Sequence, residues 1–316
     1  MLSVTRPIRR FTSIGASLAT AFVLAGCGAV ADDSGNGRRA VAAFYPLAWV
    51  TGRVAGDDWQ VTNLTAPGAE PHDLSLDIGQ TAEVSRADLI VLEHDFQPAV
   101  DTTVETNAPD AAIIDAAEVV DLLETSEHEE DHDEEHEEEG HEHGDVDPHF
   151  WQDPLLMADL GDAVAAQLGE IDPDQASAYD DRAATLRADL EELDTDFTAG
   201  LASCERTVTV VSHEAFSYLS RYGLDFEAIA GLSPDAEPTP ADLAQLQELV
   251  SREGVTTVFS ERLASSKMSE ALAGDLGLET AVLDPLEGLS DETADEDYLS
   301  LMRQNLAALQ KANACT

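Results

Sequence analysis

Basic residues are scarce in this chain. Its 316 residues include 16 Lys and Arg against 64 Asp and Glu, which sets the formal net charge at −48. This excess of carboxylates argues against a nucleic-acid partner and favours soluble surfaces and cation partners. A hydrophobic content of 43% is typical of a globular protein of one large or two medium lobes.

Long apolar runs are also missing, apart from FTSIGASLATAFVLAGC near the start, which follows three arginines. That run is too short and wrongly flanked for a membrane-spanning helix, and it predicts a signal peptide over residues 1–26. Its end, Leu24-Ala25-Gly26-Cys27, resembles the bacterial lipobox, in which the cysteine is lipidated. An ordinary secretion signal with a chance cysteine is the alternative. We therefore expect Cys27 and a flexible tether over residues 27–39 to hold the protein at the outer face of the cytoplasmic membrane.

Cysteine is rare as well, with three in the chain. If Cys27 is lipidated, Cys204 and Cys315 remain as an even pair in an oxidising compartment, where a disulfide persists. The pair predicts a bridge that pins the C-terminal tail, and two free thiols are the alternative.

Several β-branched runs end abruptly in loops and predict buried, largely parallel strands at residues 39–46, 87–94, 206–213, 255–261 and 280–284. Helical patterns lie between them. One is TPADLAQLQELVSREG, which opens with a threonine cap before Pro240 and closes on Gly254. The alternation of strand and helix predicts an α/β fold with crossover connections.

From residue 173 to 203 leucine and phenylalanine recur every three or four residues, with no internal proline after Pro173. One long amphipathic helix fits this pattern, and at about 1.5 Å per residue it would cross a whole domain as a rigid strut. Two helices with a break near Asp194 are the alternative. The helix would join a lobe of residues 40–172 to a lobe of residues 204–316.

Residues 124–147 lack apolar periodicity and predict a mobile loop inserted in the first lobe. The loop holds five of the nine histidines: His128, His132, His136, His141 and His143. Their spacing allows weak zinc chelation, and the surrounding carboxylates attract cations. A solvated acidic insertion without that role is the alternative.

Four other residues, each beside a turn or a strand end, are candidate metal ligands. His72 and His149 follow prolines, which stiffen the backbone. His213 and Asp284 each end an apolar β run, where ligands gather in open α/β sheets. Three imidazoles and one carboxylate suit a tetrahedral Zn²⁺ site, whereas Mn²⁺ prefers more oxygen ligands. Each histidine alone is more simply a hydrogen-bonded cap, but their joint occurrence predicts one metal site.

Several segments resemble those of the zinc-binding solute-binding lipoproteins of bacterial ABC importers, the ZnuA-like group of the cluster A-I metal-binding proteins. They are the long helix and PHDLSL, ADLIVL, DPHFWQDP, SHEAFSYLSRYGL, SPDAEPTPADLAQLQELV and LDPLEG. The resemblance covers nearly the whole mature chain. It implies two (βα)₄-type lobes with mostly parallel sheets, joined by one long rigid helix. It also implies that the metal lies in the cleft between the lobes, bound by His72, His149, His213 and Asp284.

The same resemblance implies a monomeric receptor that captures Zn²⁺ as transported cargo and delivers it to an ABC permease and its ATPase. Many zinc members carry a histidine-rich loop ahead of the DPH motif, and manganese members usually have a carboxylate where His213 stands. A manganese receptor and a metal-binding surface adhesin are the alternatives. A zinc hydrolase is disfavoured because the chain has no His-Glu-x-x-His helix and no nucleophile elbow, so we expect no enzymatic activity.

The chain departs from the family pattern in LEHDFQPAV, where a small or glycine-containing turn is common. His94 and Asp95 in this segment are either groups that approach the cleft or surface residues. Glu70 and Glu261 are predicted to be hydrogen-bonding or surface carboxylates rather than ligands.

Overall fold

The computed structural model describes residues 37–124 and 146–316. Several predicted features lie outside these residues: the signal peptide, most of the tether, the lipidation site Cys27, and the loop histidines His128, His132, His136, His141 and His143. Within the described ranges, no helix is both long enough and apolar enough to cross a membrane.

The first half of the chain forms a parallel sheet in the order β2-β1-β3-β4. Its strands are β1 (Arg38–Ala42), β2 (Trp59–Asn63), β3 (Leu89–Leu92) and β4 (Ala112–Asp115). The helices of this half are α1 (Tyr45–Ala55), α2 (Ile78–Val84), α3 (Pro98–Asn107) and α4 (Ala116–Val119). A short antiparallel pair follows, β5 (Leu123–Glu124) and β6 (Val146–Asp147). We call this sheet with its helices the first lobe.

Two helices then lead to the second half, α5 (Pro154–Ile171) and α6 (Ala176–Leu201). The second sheet is also parallel, in the order β10-β9-β7-β8. Its strands are β7 (Val208–Val211), β8 (Asp225–Ala228), β9 (Thr257–Ser260) and β10 (Glu279–Val282). The helices of this second lobe are α7 (Pro240–Glu253), α8 (Lys267–Leu276) and α9 (Tyr298–Asn313).

Helix α7 begins and ends where its sequence predicts. The Thr239 side chain accepts a hydrogen bond from the backbone of Asp242, whose carboxylate accepts one from the backbone of Thr239. This reciprocal cap satisfies two backbone donors that the first turn leaves unpaired. Gly254 ends the helix in the left-handed region, at φ 68°, where glycine has no Cβ to clash.

Helix α6 is one continuous helix of 26 residues, so the predicted long helix is confirmed and the break near Asp194 is absent. It buries an apolar stripe at the predicted spacing, which includes Leu186, Leu190, Leu193, Phe197 and Leu201. The stripe faces neighbours from both halves of the chain, because α6 packs against α1, α5 and α9. The burial of this stripe, rather than helix propensity alone, stabilises so long a helix.

The core runs continuously from the first lobe into the second. Phe150 and Trp151, from the segment before α5, belong to the same buried cluster as Tyr298 and Met302 of α9. A smaller cluster that includes Val258 of β9 lies in the second lobe. Residues Gly37–Thr316 therefore form one compact unit. The α/β class with two parallel sheets and a long helix is confirmed.

A disulfide joins Cys204, which follows α6, to Cys315, which follows α9. The predicted bridge is therefore present. Backbone hydrogen bonds run beside it: Glu205 donates to the carbonyl of Asn313, and Thr316 donates to that of Ser203. The C-terminal tail is thus pinned to the end of the long helix, as the two-cysteine pattern predicts.

Candidate metal centre

Three histidines converge from three separate loops. His72 follows β2, His149 follows β6, and His213 follows β7. Their ring centroids lie 5.6 Å apart for His72 and His149, 5.9 Å for His72 and His213, and 5.3 Å for His149 and His213. His72 and His213 follow strands of the two parallel sheets, as expected for an α/β ligand site, and His149 joins them from the antiparallel pair.

The carboxylate that meets the three rings belongs to Glu287, in the loop after β10. Its Oε1 atom lies 3.4 Å from His72 Nε2, 3.5 Å from His149 Nε2 and 3.3 Å from His213 Nε2. One ligand atom from each of these four residues lies within 4.8 Å of the others. The His149, His213 and Glu287 side chains are buried, and His72 is partly buried.

The outer nitrogens of two rings are held by carboxylates. His149 Nδ1 lies 2.7 Å from Asp147 Oδ1, and His213 Nδ1 lies 2.6 Å from Glu261 Oε1. The Nε2 atoms of His149 and His213 are buried and have no hydrogen-bond partner among the described residues. This is the arrangement of a metal-binding imidazole, whose second nitrogen donates to a carboxylate while the first faces the ion.

Asp284 differs from the expectation. Its Oδ2 atom accepts a hydrogen bond from Arg262 Nε at 3.0 Å, and its Oδ1 accepts one from the backbone of Leu286 at 2.9 Å. The side chain of Asn305, on α9, holds the backbone of Asp284 on both sides. It accepts a hydrogen bond from the Asp284 amide and donates one to the Asp284 carbonyl. In the structure Asp284 therefore holds its own loop, and Glu287 lies with the three histidines.

Leu286 explains why the later carboxylate enters the site. It is fully buried and has a φ of 60°, which is rare for a residue with a branched side chain. This left-handed residue lies directly before Glu287. The segment LDPLEG contains both acids, but sequence reasoning takes the one at the strand end, since a left-handed leucine has no sequence signal. Glu287 was therefore missed.

The other two acids considered from sequence are hydrogen-bonding groups. Glu261 directly follows β9 and holds His213, and its carboxylate also accepts a hydrogen bond from Ser212. Glu70 accepts from the backbone of His72 at 3.0 Å, and its Oε1 lies 3.8 Å from His72 Nε2. His94 is exposed and lies outside the four-residue group.

Electrostatic contacts within the site shift the pKa values of His149, His213 and Glu287. Burial alone would lower the pKa of His213, but its contacts with Glu261 and Glu287 outweigh burial and raise that pKa to about 10. Burial likewise opposes the contacts of His149 with Asp147 and Glu287, and the net pKa of His149 is raised. Burial would raise the pKa of Glu287, yet the three histidines hold it well below its usual value. The negative Glu287 is therefore stabilised by positive charge around it.

Aromatic side chains wall the group on the first-lobe side. The Phe96 ring lies 4.7 Å from that of His72, and the Trp151 ring lies 5.1 Å from that of His149. Trp151 also ties the two lobes together, because its Nε1 donates to the carbonyl of Pro285 at 2.7 Å. The wall excludes water, which strengthens electrostatic attraction within the site.

Three imidazoles and one carboxylate in a buried pocket form a donor set suited to a divalent metal ion. The site lies between two parallel sheets and takes two residues from each half of the chain. Together these features define a two-lobed metal-binding protein of the α/β class.

Comparisons with known proteins identify the family. Residues 40–312 match the family model described as "Zinc-uptake complex component A periplasmic", ZnuA. The chain is 36% identical over 285 residues to the high-affinity zinc uptake system protein ZnuA of Bacillus subtilis, and the match covers 89% of each protein. The chain belongs to the ZnuA family.

Two streptococcal comparisons agree. The zinc-binding lipoprotein AdcA of Streptococcus pneumoniae is 34% identical over 86% of this chain, which spans only 55% of AdcA. The solved zinc-bound ZnuA-like domain of AdcA has a TM-score of 0.72 and 32% identity, over 88% of this chain and 99% of that domain. The relatives are named as binding and uptake proteins.

Proposed function

We propose that this protein binds Zn²⁺ through His72, His149, His213 and Glu287 and delivers it to an ABC permease for zinc uptake. The ion is cargo, and no chemical reaction is required. Glu287 takes the place that the sequence assigned to Asp284. Its charge and the three neutral imidazoles would leave the loaded site with a single net positive charge.

One observation carries this proposal. Four ligands around Zn²⁺ at about 2.0–2.1 Å form a tetrahedron whose edges are about 3.4 Å long. The three distances from Glu287 Oε1 to the histidine Nε2 atoms are 3.4, 3.5 and 3.3 Å. These distances match three of the six edges of a zinc tetrahedron, and all four ligand atoms lie within 4.8 Å of one another, which supports binding of a single ion among them.

The donor set also bears on the choice between zinc and manganese. Mn²⁺ favours carboxylate, carbonyl and water oxygens, and it commonly takes six of them. This group offers three nitrogens and one nearby carboxylate in a buried position. We therefore propose zinc as the cargo and expect Mn²⁺ to bind more weakly.

Calorimetric titration of the chelator-stripped protein with Zn²⁺ and Mn²⁺ tests the binding step. We expect one tight zinc site that His213→Ala abolishes, and weaker manganese binding. A tight site that survives His213→Ala, or that prefers Mn²⁺, would contradict the assignment.

Delivery and anchoring rest on the family and on the lipobox resemblance. We propose that Cys27 is lipidated and that the protein acts as a monomer outside the cytoplasmic membrane. Cys27→Ser should abolish incorporation of labelled palmitate while zinc binding is retained. Cells with the Glu287→Ala protein should lose uptake of radioactive zinc at limiting concentration, although the protein is still exported.

The histidine-rich segment is proposed to capture zinc weakly ahead of the buried site, through His128, His132, His136, His141 and His143. Deletion of residues 126–144 should leave the tight site intact and lower the total number of bound zinc ions. Loss of the tight step in that deletion would contradict this separation of roles.

A further inference from the structure

A second group of metal-binding side chains lies where the chain departs from its family, in the loop between β3 and α3. His94 and Asp95 come from the loop, and Asp101 from the first turns of α3. One ligand atom from each lies within 4.8 Å of the others. None of the three belongs to the group formed by the other histidines.

Both ring nitrogens of His94 face a carboxylate. Nδ1 lies 3.5 Å from Asp101 Oδ1, and Nε2 lies 3.6 Å from Asp95 Oδ1. The loop is held in this arrangement by its backbone, because the Asp95 amide donates to Asp101 Oδ2 at 3.0 Å and the His94 amide donates to Asp115 Oδ1 at 3.1 Å. The three donors are therefore gathered before any ion binds.

The neighbouring Glu93 is a buried carboxyl group beside this loop. Its side chain is buried, with 2% exposed, and neither carboxylate oxygen has a hydrogen-bond partner among the described residues. Burial raises its pKa well above the usual value, and the charges of Asp147, Asp115 and Asp101 add to that rise. The raised pKa favours the neutral form of Glu93, and a cation bound at Asp101 would offset one of the charges that raise it.

Among the described residues, His94 is the basic side chain that pairs with Asp95 and Asp101. In the ranges that the structure describes, neither Arg nor Lys forms an ion pair with Glu93, Asp95, Asp101 or Asp115. Asp101 Oδ1 is also buried and lacks a hydrogen bond. The group thus combines two carboxylates with one imidazole, which is a donor set for a divalent metal ion.

We propose that His94, Asp95 and Asp101 form a second cation site that binds Zn²⁺ more weakly than the buried site. The His94 and Asp95 side chains are 61% and 78% exposed, so water completes the coordination and the ion exchanges readily. Phe96, two residues after His94, packs on the ring of His72. The second site therefore concentrates zinc beside the buried one. The proposal does not depend on which metal the buried site carries.

The test uses the full chain and the double variant His94→Gln/Asp95→Asn, whose side chains are exposed enough to spare the core. Equilibrium dialysis against rising Zn²⁺, followed by metal analysis, counts bound ions. Asp180→Asn, an exposed acid on α6, is the matched charge control. Any ions bound by the histidine-rich segment are common to all three proteins and cancel in the difference.

We expect the double variant to bind one zinc ion fewer than the native chain and the Asp180→Asn control, with an unchanged tight step. Anomalous diffraction at the zinc edge from zinc-soaked crystals should show density among His94, Asp95 and Asp101. Equal zinc counts in the three proteins would overturn the proposal, even if the crystals show density there. If the native chain shows no tight zinc-binding step, that result would instead contradict the proposal for the buried site.

Discussion

The Nδ1 atom of His213 lies 2.6 Å from Oε1 of Glu261. The two residues follow different strands, β7 and β9, which are neighbours in the second sheet. A carboxylate in this position fixes the orientation of the imidazole and makes it a better donor to a metal ion. We therefore propose that Glu261 is a positioning residue for zinc binding and acts through His213.

Glu261→Gln should test that relationship while it preserves side-chain size. The amide lacks the charge that favours the zinc-bound imidazole, so zinc affinity should fall by about 10–100-fold. Competition with a chromophoric chelator measures the change. Glu192→Gln, an exposed position on α6, serves as control. Equal affinities for the two variants would show that the contact does not influence binding.

Glu287 and Asp284 should respond differently to removal of their charge. Glu287→Gln changes a residue that we propose binds the ion directly. It should therefore weaken zinc binding by more than the roughly 100-fold loss in affinity that is typical when a residue that only contacts a ligand is changed. Asp284→Asn should alter zinc affinity by less than about tenfold but lower the melting temperature, since it loses its ion pair with Arg262. Chelator competition and calorimetry separate the two effects. The reverse ranking would restore Asp284 as the ligand.

Zinc binding should weaken as the pH falls. A histidine must be neutral to bind zinc, and the pKa of His213 in the metal-free protein is raised to about 10. At pH 7 this ring is protonated, so zinc displaces its proton and affinity drops about tenfold per pH unit for each proton released. Calorimetry in buffers of different ionisation enthalpy counts the protons. No proton release at pH 7 would contradict the raised pKa.

Zinc should stabilise the native fold in proportion to its affinity. An ion that binds only the folded state adds about 2.7 kcal/mol when its free concentration is 100 times the Kd. The melting temperature should therefore rise with zinc and return to the metal-free value with a chelator. His72→Ala should lose most of this rise. A zinc-independent melting temperature in the native protein would contradict specific binding to the folded state.

Loss of the disulfide should destabilise the protein without removing the zinc site. The bridge closes a segment with a sequence separation of 111 residues, which limits the freedom of the unfolded chain. Cys204→Ser/Cys315→Ser should lower the free energy of unfolding by about 2–4 kcal/mol. Urea titration measures this loss, and zinc titration should show an unchanged tight step. An equally stable variant would mean that the tail is held by its hydrogen bonds alone.

Local features of the sequence predicted local features of the structure. The cap at Thr239, the glycine at 254 and the apolar stripe of α6 depend on residues a few positions apart, and the structure agrees with each. The short strands β2, β4 and β8 were not identified, because they span only four or five residues and most of their positions are not fully buried.

The sequence by itself determined the α/β class, the long helix and the three imidazoles that the structure brings together, since periodicity, capping and residue type express these directly. The tertiary structure alone decided which carboxylates face those imidazoles. Glu287 enters because Leu286 adopts a left-handed turn and Arg262 holds Asp284 away. Glu261 reaches His213 because β7 and β9 are neighbours in the second sheet, whereas Asp147 holds His149 from two residues away. The choices of Glu287 and Glu261 depend on contacts between distant parts of the chain, where no local pattern marks the outcome.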